Sequence, residues 1–398
     1  MDRILDEFLY TLKESGGLED VEIEYIPASG SERENMLDRI RTEIMTGGGP
    51  DVFIVNCSGS ATGDVGTSLF PMPLKVMENG LFLPLDEYME EKTRFTEWDK
   101  LTQSVLKAGS NEEGQQIIPL TYTLPVLCYR QSEGTVEAAP DMTWTEMLED
   151  ECLSEQGMLL GDVSAPFAGI ESRRMYLEYI IGDLADYHTD KLLFTEEELL
   201  QYVRQAYDLW ETRHDREDSR EITDYFETYL DVGFVGSDTP VLYNIGADEP
   251  LTMVPVYSEA GGVTASITSF AAVNRNTRRP DDAYTVIDLL LRDVVQQRYL
   301  LYRNLICADS YGIPMHEDLM QEEMPTGLNA EWYLSDENYA ELSKVRDQIT
   351  TVFFQDTLSM QFMFLQMDCE FAIRNGEEER LEDIVSEHYR TMKLLMAE

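Results

Sequence analysis

Thr46-Gly47-Gly48-Gly49-Pro50-Asp51-Val52-Phe53-Ile54-Val55 is the stretch that decides the fold. Glycine accepts a left-handed cap and proline cannot continue a helix, so the first half of the stretch stops one. That helix opens at Ser31, where Ser31-x-x-Glu34 has the spacing of a capping box, and its apolar face is Met36, Leu37, Ile40 and Ile44. The second half predicts a short apolar strand, of the kind buried on both faces of a parallel sheet. Asn56-Cys57-Ser58-Gly59-Ser60-Ala61-Thr62-Gly63 follows as a small, polar, glycine-rich loop. It stands at the carboxyl end of a strand, where open α/β sheets bind ligands. It carries neither Gly-Lys-Ser/Thr nor G-x-G-x-x-G, so it is not a phosphate loop.

Upstream, Ile4, Leu5, Phe8, Leu9 and Leu12 share one helical face. Val21, Ile23 and Tyr25 alternate with Glu22 and Glu24, which predicts a half-exposed strand. Helix and strand therefore alternate, as in an α/β domain. Downstream, Gln116 to Tyr129 is one extended segment interrupted by Pro119 and Pro125. Proline cannot donate within a central ladder, so this segment reads as strands crossing between two sheets. A helix starts near Trp144, and acidic helical sequence dominates residues 145–230. A second extended region runs from Val241 to Val273. It leads through Arg278-Arg279-Pro280-Asp281-Asp282 into a helix whose buried face is Ala283, Ile287, Leu290, Leu291 and Val294. Gly312-Ile313-Pro314 marks a further crossing, and the chain from Asn338 onward is mostly helical.

The 398 residues hold 30 Lys plus Arg against 77 Asp plus Glu, a formal net charge of −47. Nucleic acid is held by counterion release to clustered cations, and an anionic membrane surface by a basic face; this chain repels both. With 43% hydrophobic and 10% aromatic residues it can bury cores, so the charge is not a mark of disorder. The length suits two or three domains. No run of about 18 apolar residues exists to span a membrane. The opening Met1-Asp2-Arg3-Ile4-Leu5 lacks the regions of a signal peptide, which implies either a cytoplasmic protein or a leader not present in this sequence. Cys57, Cys128, Cys152, Cys307 and Cys369 are scattered without C-x-x-C, so they make neither a disulfide framework nor a zinc site and read as buried thiols.

Several of these segments, taken in order, resemble the extracellular solute-binding proteins of ABC importers, the sugar-binding family 1 typified by maltose-binding protein. The resemblance rests on Thr46 to Phe53 and on Asn79-Gly80-Leu81-Phe82-Leu83-Pro84-Leu85-Asp86-Glu87-Tyr88. It continues through Ile118-Pro119 with Leu127 to Arg130, and Met142-Thr143-Trp144-Thr145-Glu146-Met147. Phe270 to Val273 with Pro280 to Tyr284, and Tyr311-Gly312-Ile313-Pro314, complete it. It implies an α/β, two-lobed periplasmic-binding-protein-like fold of type II. Lobe one would be residues 1–120 plus 267–312, and lobe two 125–263 plus 315–398, with crossings near 120–124, 264–267 and 312–315.

The resemblance also implies a solute held between the lobes, delivery to ABC permease subunits, and a monomer outside the cell. The family normally begins with a strand ahead of the first helix; that strand is missing here, which fits a lipid-anchored leader upstream. The ligand-binding residues it suggests are Asn56, Ser58 and Tyr122, then Tyr243, Asn244 and Tyr257, and finally Phe353 and Phe354. The segment Val241 to Ala247 lacks the Trp that the family often stacks on a sugar. The strongly acidic surface disfavours anionic ligands, so the expected solute is a neutral or cationic sugar, oligosaccharide or small polar molecule.

Two other classes compete. A glycosidase would use two carboxylates, but among 77 acids pairs arise by chance, and clusters such as Glu196-Glu197-Glu198 read as solvated helix faces. His188, His214, His316 and His388 lie far apart, and neither H-E-x-x-H nor Gly-x-Ser-x-Gly occurs. No enzyme, no catalytic residue, no cofactor and no metal site is expected. A binding or sensor protein without a transport role is the closer alternative.

Overall fold

A computed structural model describes residues 2–27, 30–57, 68–130, 142–149, 177–214, 234–235, 251–296, 312–320 and 335–397. The chain divides into two compact units. The first comprises Met1–Tyr122, Ile267–Leu319 and Phe354–Thr357; the second comprises Thr123–Ser266, Met320–Phe353 and Leu358–Glu398.

In the first unit, helix α1 (Asp2–Glu14) buries Phe8 and Leu12. Helix α2 (Ser31–Met45) buries Leu37, Ile40 and Ile44. Ser31 is the first helical residue rather than a cap: Gly30 stands at the N-cap, and no side chain caps the helix. Gly47 and Gly49 stop α2 with φ of 81° and 93°. The Asn274 amide donates to the carbonyls of Gly48 and Pro50, each at 3.0 Å, and fixes that turn.

Strand β1 (Val52–Asn56) follows, but its ladder is antiparallel, with Val52 opposite Val273 and Asn56 opposite Ser269. Phe53 and Val55 are buried while Val52, Ile54 and Asn56 are half-buried, so β1 has one inner face rather than two. Residues 21–25 keep the expected alternation of half-buried and exposed side chains, yet they join no ladder among the described residues.

Short helices α3 (Pro73–Glu78), α4 (Asp86–Glu91) and α5 (Gln103–Lys107) lead to strand β2 (Ile117–Arg130). This strand is continuous over 14 residues and starts in the first unit and ends in the second. Strand β4 (Val263–Val273) runs the other way, buried along its whole length, and pairs with both β1 and β2. The two-residue strand Ile313–Pro314 adds to β2, with Ile313 opposite Tyr122. Gly312 has a φ of 150°, and a Cβ there would meet Thr121 Cβ at 2.8 Å and Tyr122 O at 2.9 Å, so glycine is required for this approach.

The first unit's core is aromatic. Phe70 meets Phe53 and Phe82 edge-on at 5.0 and 5.2 Å. Helix α9 (Pro280–Leu290) buries Ala283, Ile287 and Leu290 as expected, but it ends before Val294, which is 43% exposed. From α9 the buried Asp288 carboxylate accepts backbone N–H groups of Arg94, Phe95 and Thr96, at 2.7, 3.2 and 2.9 Å.

The second unit contains α6 (Trp144–Glu149), α7 (Leu177–Ile181) and α8 (Glu196–His214), with strand β3 (Leu251–Pro255) antiparallel to the end of β2. Helix α10 (Asp336–Arg346), strand β5 (Ile349–Phe354) beside β4, and helices α11 (Thr357–Arg374) and α12 (Leu381–Ala397) follow, apart from Phe354–Thr357, which belong to the first unit. Cys57 and Cys369 are buried thiols, and burial pushes Cys369 up to about 12. Among the described residues no helix is long and apolar enough to cross a membrane, and no group of His, Cys, Asp and Glu has the arrangement to hold a metal.

Candidate functional site

The carboxyl end of β1 places Asn56 opposite Ser269 of β4. The next residue, Cys57, donates its backbone N–H to Thr268 O at 2.7 Å, which keeps the chain against β4 to the edge of the polar loop. Asn56 is half-buried. Behind it, the Thr121 hydroxyl of β2 bonds those of Thr268, at 2.7 Å, and Ser269. All three hydroxyls are buried and satisfy one another, so the strands can bury polar side chains without loss. The first unit thus holds a buried hydroxyl row, with Asn56 opposite Ser269 at the end of β1.

The other residues expected at the site fall into three groups. Tyr122 is adjacent to Thr121 but fully enclosed, its hydroxyl 3.2 Å from that of Thr102. In the second unit Tyr257 is also enclosed and donates to Gln348 Oε1 at 3.3 Å, and Phe353 packs edge-on against Tyr179 at 5.0 Å. Phe354 belongs to the first unit, edge-on to Phe270 at 5.7 Å. These four rings present no open face in this structure. Ser58, Tyr243 and Asn244 lie outside the described residues.

The hydroxyl row itself was not singled out in the sequence. In the second unit it has a counterpart, where Ser266 bonds Thr123 and receives the Tyr179 hydroxyl, both at 2.8 Å. The signal was present as period-two repetition, Thr121-x-Thr123 and Thr264-x-Ser266-x-Thr268, which sets hydroxyls on one face of each strand.

An open cavity of ≈ 730 Å³ lies in the first unit along β1, from Pro50 to Asn56, with residues 20–26 forming its other long wall. Its volume is in the range of small-molecule sites, but its lining is a different kind from the hydroxyl row.

No protein-family model and no curated protein matches the chain. Solved structures do. An extracellular solute-binding protein family 1 member from Alicyclobacillus acidocaldarius superposes with a TM-score of 0.58 at 13% identity, over 99% of this chain and 95% of that one. A periplasmic oligogalacturonide-binding protein from Yersinia enterocolitica gives 0.58 at 16% identity, over 100% and 96%. The chain has the fold of the periplasmic solute-binding proteins. That α/β, two-lobed solute-binding fold accounts for a chain that leaves one unit and returns to it more than once. A de novo designed cysteine esterase is also similar, with a TM-score of 0.59 at 16% identity over 99% and 94%, so the likeness speaks for the fold and not for a chemistry.

Proposed function

We propose that the chain is the extracellular solute-binding component of an ABC importer, taking up a neutral or cationic sugar, oligosaccharide or other small polar solute. The observation that carries this reading is a likeness extending over essentially the whole chain to solute-binding proteins. Residues of both units take part in holding the solute, with the divisions near 120–124, 264–267 and 312–315 serving as hinges. A solute that contacts both lobes only when they close shifts the population toward the closed form, and a permease recognises that form.

Asn56 and Ser58 are the contacts proposed from the first unit, because a carboxamide and a hydroxyl at a strand end bond sugar hydroxyls without requiring charge. The −47 net charge sets the preference against anions. The chain acts as a monomer and is held at the cell surface by a lipid anchor, and it has no catalytic role.

A thermal-shift panel of neutral, cationic and anionic saccharides tests this, since a ligand of the native state alone must raise the melting temperature. Neutral or cationic members are expected to raise it, with the shift reduced in Asn56→Ala. A panel with no effect, or one in which only anionic members act, contradicts the proposal.

A further inference from the structure

We infer that Arg41 and the backbone N–H of Thr357 are positioning groups for the polar loop after β1, fixing the end at which the chain returns to the first unit. This rests on the solute-binding reading, in which that loop supplies Ser58.

The loop leaves the sheet at Cys57, whose N–H is held by Thr268 O at 2.7 Å. Residues 58–67 lie outside the described residues, and the chain is described again from Ser68. Independent contacts converge on residues 68–71. From α2, the half-buried Arg41 donates through Nη2 to Ser68 O at 2.6 Å and through Nε to Leu69 O at 3.3 Å. The Phe70 ring stands edge-on to Phe53, which brings the returning chain beside the strand it left. Thr357, the first residue of α11, donates its N–H to Pro71 O at 2.9 Å.

Ser68, Leu69 and Pro71 stand outside every helix and strand, so their carbonyls depend on donors from elsewhere. A guanidinium presents its N–H groups in one rigid plane and can orient two consecutive carbonyls at once. The first turn of a helix has N–H groups without intrahelical acceptors, and α11 spends one of them on Pro71. All of these groups belong to the first unit; the chain passes into the second at Leu358. With both ends of the loop held, less chain has to be ordered when a solute binds, and affinity rises accordingly.

The test uses the full chain and two variants. Arg41→Met keeps the side-chain stem without its donors, and Thr357→Pro deletes one N–H at a helix position that accepts proline. Two variants serve as controls: Thr357→Ser retains the N–H, and Arg39→Met, also on α2, removes a guanidinium that engages Glu24 and Glu43 instead. Hydrogen–deuterium exchange is read over residues 56–70 and over β4, and calorimetry measures binding of maltotriose, cellotriose and raffinose. Arg41→Met and Thr357→Pro are each expected to speed exchange over residues 56–70 by about fivefold or more and to leave β4 unchanged. Each should also weaken trisaccharide binding by about tenfold, while the controls match the unaltered chain. Unchanged exchange over residues 56–70, an equal change over β4, or unaltered affinity in both variants overturns the proposal. Faster local exchange in the variants, with no trisaccharide bound by the unaltered chain, contradicts the solute-binding reading and still supports the anchoring.

Discussion

At residue scale the structure contains positions where a single atom group has no substitute. Gly312→Ala places a methyl within 2.8 Å of both Thr121 Cβ and Thr268 Oγ1 at a φ of 150°. A loss of about 1–3 kcal/mol in urea unfolding is expected. Asp288→Ala removes the acceptor for three backbone N–H groups at once, and should cost on the order of 3 kcal/mol in the same measurement.

Alkaline pH acts through Tyr284 and Cys369, each raised by burial to about 12 from ordinary values of 10.0 and 9.0. The unfolded chain gives up these protons first. Their contribution to stability is therefore intact below pH 9 and lost as pH rises from about 9 to 12. Melting temperature against pH checks the direction. Mass-spectrometric mapping of alkylation at pH 8 should find Cys369 modified only when the protein unfolds.

At the scale of elements, the apolar runs were legible and their partners were not. Val52 to Val55 read as a strand because four consecutive apolar residues bounded by glycine and a polar loop leave few alternatives. That it pairs antiparallel with Val263–Val273, some two hundred residues later, is a tertiary fact with no local signal. Val21, Ile23 and Tyr25 show the converse: the alternation is right, but with the cavity beside them no ladder forms among the described residues. Val294 fits the helical period of α9 and is nevertheless exposed, because the helix stops at Leu290.

Of the proposed site residues, Asn56 was legible at the carboxyl end of a strand, and the structure places it there as the last strand residue. The enclosed ring of Tyr122 was not, since a strand buried on both faces has no alternation to reveal which side chains point outward. Two element-scale predictions follow from packing. Phe82→Ala opens the Phe53–Phe70–Phe82 cluster and should cost about 3–5 kcal/mol. Ser335 caps α10 by accepting the Asn338 N–H at 3.2 Å, so Ser335→Ala should cost about 1 kcal/mol. Denaturant titration distinguishes the two by size.

For the whole molecule, the net charge of −47 sets a field that disfavours anions. On the proposed function, recognition relies on neutral hydrogen bonds from Asn56 and Ser58. The central claim is that the chain binds one small polar solute, and isothermal titration calorimetry with neutral oligosaccharides tests it most directly. The account predicts a saturable titration at one solute per chain for at least one member, while dilution heats alone across neutral and cationic members would contradict it.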